Sequence, residues 1–165
     1  MTVVNDMFLF VLIAVAVVIG VVAAYYVRNS DVAPDSNLKA MLHELPQFYE
    51  NAHKSIRIAT DFDARFFEDD RVKRTLSSAA GRGVDVRIIT EGQPSEWYGK
   101  QGFKMKEVER LARHVMIIDE CHVRLEKPHD PGQFGKEGDL GMLYRNFPIL
   151  ATKWSDLFDQ AWGSI

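Results

Sequence analysis

From position 7 to position 27 the chain reads MFLFVLIAVAVVIGVVAAYYV, 21 residues without a charge. A helix rising about 1.5 Å per residue would cover the roughly 30 Å hydrocarbon core of a bilayer over that length, so the pattern predicts one transmembrane helix. A cleaved secretory leader has a basic start and a shorter apolar core. The flank here, MTVVND at 1–6, holds no Lys or Arg, and a retained anchor is expected. A buried core helix would show a polar face, which is missing. Residues 28–37, RNSDVAPDSN, are polar and aperiodic and read as a linker, leaving 38–165 as one folded domain.

Beyond the linker the period changes. Leu38, Met41, Leu42, Leu45, Phe48 and Tyr49 recur at helical spacing, with Asp35 or Ser36 as a cap and Pro46 as a candidate kink. SIRIAT (55–60) and VDVRIIT (84–90) read as strands. Between them EDDRVKRTLSSAAGRG has an acidic start, Val72, Leu76, Ala79 and Ala80 on one side, and glycine at its end, as a helix does. Strand, helix and strand over this span form a parallel βαβ unit. Residues 91–106 read as a loop and 108–111 as a brief strand. HVMII (114–118) and 122–125 form a hairpin, 126–139 a long loop, LGMLYR a strand, and 148–162 a closing helix with Leu150, Trp154, Leu157, Phe158, Ala161 and Trp162 inward. The fold class is α/β: a mixed sheet flanked by helices, preceded by one transmembrane helix.

Charge and composition narrow the partners. A formal charge of −3 gives no Lys/Arg-rich face for nucleic acid, so no nucleic-acid partner is expected. Arg28 and Lys39 follow the apolar run and nothing basic precedes it, which places the N-terminus outside and the domain in the cytoplasm. The membrane is then the first partner. Ala16, Gly20 and Ala24 recur every fourth residue, a small-residue face on which two anchors can pack. The single cysteine, Cys121, forms no internal disulfide.

The order of strand, helix, Arg82-Gly83-Val84 leading into VRIIT, a hairpin with an Ile117-Ile118-Asp119 core, and a final FDQAW helix resembles one half of the phospholipase D-like superfamily, over about 45–162. The resemblance implies an HxKxxxxD signature in which His attacks phosphorus, Lys binds phosphate oxygens and a second copy supplies the acid. Nucleophile and acid are what phosphodiester cleavage needs. Anchored on Asp119, the signature puts Ala112 at the nucleophile and His114 at the lysine, and Glu126-Lys127 where the family has Gly-Ser. Alanine cannot attack phosphorus, and a carboxylate repels a phosphodiester. The expectation is a membrane-anchored, catalytically inactive domain for binding or assembly, as a homodimer or a subunit of a larger membrane complex. One alternative is a membrane-tethered phosphodiesterase, a nuclease or phospholipase, active as a homodimer with His114 in a shifted catalytic position. Another is a sensor of a small phosphorylated ligand.

Candidate ligand-binding residues are His114, Asp119 and Asp61, and His114 with Asp119 are the catalytic pair if the chain is active. Asp61 and Asp63 flank Phe62 after the first strand, where open α/β sheets place ligands, so they could bind a cation or a basic partner; turn chemistry and helix capping are the favoured explanation. Cys121, His122, His129 and His114 lack zinc-finger spacing, and adjacent strand residues face opposite ways, so no metal or other cofactor is expected. Lys100, Lys104, Lys106 and Arg110 form a basic cluster open to anionic lipid. Trp97, Tyr98 and Phe134 fall in loops, where exposed aromatics suggest a partner surface.

Overall fold

The computed structural model describes residues 15–21, 24, 31–35, 38–126 and 141–165. The apolar run at 7–27 lies largely outside them, as do residues 127–139 of the expected loop, with His129 and Phe134. Its described part, 15–21 with Ala24, is helical and exposed. Among the described residues no helix is long and apolar enough to cross a membrane.

Seven strands make one mixed sheet: β1 (Asp31–Asp35), β2 (Ser55–Thr60), β3 (Asp85–Thr90), β4 (Lys104–Glu107), β5 (His114–Ile118), β6 (His122–Glu126) and β7 (Gly141–Arg145), in spatial order β1-β7-β6-β5-β2-β3-β4. β2, β3 and β4 run parallel, and β5, β6, β7 and β1 alternate. Among the described residues from 31 onward the helices are α1 (Leu38–Glu50), α2 (Ala64–Phe67), α3 (Asp70–Gly81), α4 (Glu96–Gly99) and α5 (Pro148–Ser164).

Both faces of the sheet are covered, and strand alternation decides which residue goes where. Ile56, Ile58, Val86, Ile88, Met116, Ile118 and Leu143 pack under Met41, Leu45 and Tyr49 of α1 and Val72, Leu76 and Ala79 of α3. The opposite face, Ala59, Ile89, Val115, Ile117 and Val123, packs under Ala151 and Phe158 of α5. Arg57 and Arg87 also point to α5, where both reach Asp159, at 3.0 and 3.3 Å. A guanidinium fork on one carboxylate fixes the helix across the sheet.

Several expectations need correction. The linker contributes a strand: Asp31–Asp35 pairs antiparallel with β7, with Pro34 on the sheet edge, where its missing N–H costs nothing. Pro46 sits inside α1 without dividing it. The 91–106 loop holds α4 and β4, and the short strand falls at Lys104–Glu107 rather than 108–111. On α5 Phe158 is buried and Leu150, Trp154 and Trp162 pack half-buried against the same cluster, as expected; Ala151 and Ser155 are buried besides, whereas Leu157 is 43% exposed and Ala161 is exposed too. Tyr98 is fully buried, its hydroxyl donating to the Phe67 carbonyl at 2.5 Å, and Trp97 packs beside it with Lys73 over its ring.

Candidate functional site

Register brings three stretches of chain to one sheet edge. β2 ends at Thr60, β5 begins at His114, and β6 ends at Glu126, with His114 opposite Glu126 in the β5–β6 ladder and Met116 opposite Arg124. After β2 the chain turns through Phe62, whose φ of 62° lies in the left-handed region. That turn drives the Phe62 ring inward, stacked on Phe67 at 4.4 Å and edge-on to Tyr98 at 4.5 Å. Asp61 and Asp63 are thereby left facing the cleft. Gly92 is needed beside them, because a Cβ there would stand 2.9 Å from the Asp61 carbonyl oxygen.

The cleft is lined by Asp61, Asp63, His114, Arg124, Glu126 and Met41, with free space of only about 10 Å³. That is room for no more than one water molecule. Arg124 and Glu126 occupy its floor as an ion pair at 2.5 Å, with side chains 3% and 5% exposed, and the second guanidinium nitrogen donates to the Met41 sulfur at 3.1 Å. His114 is 4% exposed beside them. In a buried pair of this kind each charge offsets the desolvation of the other.

Ala112 lies elsewhere. It sits exposed in the bend before β5 and lines an apolar groove of about 270 Å³ between the sheet and α5, with Leu111, Trp154, Leu157 and Phe158. The two signature positions therefore open onto different cavities, Ala112 toward α5 and His114 toward α1.

The sequence-derived residues divide in the same way. His114 and Asp61 share the cleft. Asp63 lines it too, while its carboxylate caps α2 by accepting from the Arg65 amide at 2.8 Å. Asp119 is at the opposite sheet edge, where it accepts the amides of His53, Lys54 and Ser55 at 2.8, 2.7 and 3.0 Å. Partial burial pushes its carboxyl up, but the three amide bonds outweigh that and hold it below the ordinary carboxylate range. Its role is to pin the β5–β6 turn to the start of β2, so it is not grouped with His114. Asp119 and Glu120 both have positive φ, at 54° and 55°, the sign a type I′ hairpin turn requires.

Cys121 and His122 stay near that second edge, the imidazole accepting from the Asn146 amide at 3.1 Å. Burial lowers the His122 pKa. In the basic cluster Lys100 pairs with Glu96 and Lys104 with Asp85, and Lys106 donates to the Trp162 carbonyl. Arg124 is the site residue that sequence reading missed. Its signal was in the hairpin register, which sets Arg124 two positions from Glu126 on the same strand face.

No protein-family model matches the chain, and no curated protein matches it. Solved structures do. A phospholipase D family member, Nuc from Salmonella typhimurium, superposes at a TM-score of 0.58 with 16% identity, covering 82% of this chain and 94% of that one. The fold is phospholipase D-like. NucT from Helicobacter pylori gives a TM-score of 0.61 at 15% identity, covering 80% and 95% of the two chains. TrmBL2, described as an archaeal chromatin protein with a novel mode of DNA binding, gives 0.60 at 16% identity over 81% of this chain and 52% of that one. At these identities the likeness speaks for the phospholipase D-like fold alone.

Proposed function

We propose that this chain is a non-hydrolytic phospholipase D-like domain, held at a membrane by residues 7–27 and used for binding or assembly. It works as a homodimer or a subunit of a larger membrane complex, with the folded domain cytoplasmic. The observation that carries this reading is the filled cleft: His114 is buried against an Arg124–Glu126 ion pair, and the other signature position is Ala112. A phosphodiester brings negative charge and needs far more than one water's volume, and here it would meet Glu126 at the cleft floor. The likeness to TrmBL2, whose description is of DNA binding, supports a binding use of this architecture.

The anchor draws support from the described helical residues 15–21, whose valines and isoleucine are 50–63% exposed. Apolar side chains exposed in succession round a helix suit lipid better than water. The small residues Ala16 and Gly20 on that stretch, with Ala24 beyond it, support self-association.

Bis(p-nitrophenyl) phosphate tests the reading directly. The full chain in detergent micelles is expected to release no p-nitrophenol above the buffer rate, with or without divalent metal. Turnover that disappears in His114→Ala would establish the tethered phosphodiesterase instead. The likeness to Nuc makes that the rival worth excluding, although the Glu126 carboxylate would first have to leave the cleft.

A further inference from the structure

The ladder registers fix where the anchor joins the domain relative to the cleft. Asp31 pairs with Arg145 and Asp35 with Gly141; Tyr144 lies opposite Val123 and Met142 opposite Leu125; His122 faces Ile118 and Glu126 faces His114. The first residue of β1 is therefore level with Ile118, and its last is level with His114. The chain enters the sheet at the edge opposite the cleft, and the five-residue strands between span about 13 Å at roughly 3.3 Å per step.

Only residues 28–30 separate the apolar run from Asp31. Four Cα steps of at most about 3.8 Å allow roughly 15 Å of reach. Because β1 is part of the sheet, this short stretch is all the slack the tether has. The entry edge is suited to a bilayer surface: Ile149 is 62% exposed at the start of α5, Phe147 beside it is half-buried, and Lys54 and His53 are exposed. Two carboxylates of this edge are engaged, Asp119 by three amides and Glu120 by Arg57 at 3.7 Å.

We infer that the domain stands on its bilayer by the edge formed by residues 51–54, 119–121 and 146–149, with the His114–Glu126 edge turned to water. Whatever engages that cleft edge comes from the aqueous phase and not from headgroups of the anchoring membrane. This rests on the anchor reading above. Apolar Ile149 and Phe147 enter the headgroup layer while Lys54 meets lipid phosphate, as expected for an interfacial contact.

The full chain, reconstituted in phosphatidylcholine vesicles containing a rhodamine-headgroup lipid, tests the orientation. With Cys121→Ser as background, fluorescein is attached at His53→Cys on the entry edge or at Glu107→Cys, an exposed site at the cleft end of β4. Energy transfer to the lipid is expected to be at least twofold stronger from position 53. Equal transfer, or stronger transfer from 107, in chains that float with the vesicles overturns the orientation and leaves the anchor standing. Chains that fail to float overturn the anchor and this inference with it. Hydrogen exchange on the unsubstituted chain gives an independent reading: 51–54 and 146–149 should gain protection in vesicles relative to detergent, and protection at 61–63 instead overturns the proposal.

Discussion

Arg124 and Glu126 show how much a single residue can decide here. With both side chains nearly sealed from solvent, Glu126→Ala removes the carboxylate that the buried guanidinium pairs with and is expected to cost about 3–5 kcal/mol. The double change Arg124→Met with Glu126→Leu removes both charges and should come within about 1–2 kcal/mol of the parent, or exceed it. Urea denaturation of the three proteins checks this, and additive losses would contradict the pairing. At this scale the sequence was half legible. The signature alignment singled out Ala112, His114 and Glu126, and the structure puts His114 and Glu126 face to face. Arg124 escaped because 122–125 reads as an ordinary hairpin strand, and an arginine within it carries no signal of burial. Its side of the strand lies under α1, and only the tertiary fold makes Arg124 internal. Asp119 was misread for the converse reason: sequence proximity to His114 in the motif hides the length of β5 between them.

Among the elements, α3 is the one whose local chemistry is most complete. The Asp69 carboxylate accepts from the amides of Arg71 and Val72, at 2.8 and 3.2 Å, and so satisfies donors that the helix cannot satisfy itself. Asp69→Ala is expected to cost about 1 kcal/mol and to lower the thermal midpoint by a few degrees in a domain of this size. Calorimetry measures the shift, and Asp69→Ser should recover most of it. β2, β3, β5, β6, α3 and α5 were legible because their apolar periods are strong and their ends carry turn or cap residues. β1 and β4 were not. VAP in DVAPD and KMKE have little strand character of their own, and both are edge strands, formed because a neighbour offers an unpaired ladder. The inward face of α5 was legible at Leu150, Trp154, Phe158 and Trp162; it differs at Leu157 and Ala161, which are exposed, and at Ser155, which is buried on the helix that Asp159 ties to the sheet.

At the scale of the whole molecule, the Asp119 clasp joins residues 64 to 66 positions apart and is sensitive to acid. Its carboxyl titrates lower in the folded protein than in the unfolded chain, where aspartate sits near about 3.9. The stabilisation is therefore complete above that value and is lost as pH falls through the lower folded value. Asp119→Asn, which tolerates the left-handed backbone, should lose about 1–2 kcal/mol at pH 7 and show a shallower decline of stability below pH 4 than the parent. Denaturation midpoints collected from pH 7 to pH 3 make the comparison, and parallel curves would remove Asp119 as the acid-sensitive pin.

The pair on the cleft floor also constrains how such a sequence can change over generations. Ala112→His by itself would place an imidazole over the α5 groove while the charges on the α1 side stayed where they are. Clearing those charges one codon at a time passes through an ancestor weakened by several kcal/mol, out of a total that seldom exceeds about 15 kcal/mol. Selection for an intact domain therefore bars the stepwise road to hydrolysis, and lineages carrying this arrangement should drift in their surfaces long before they alter positions 124 and 126.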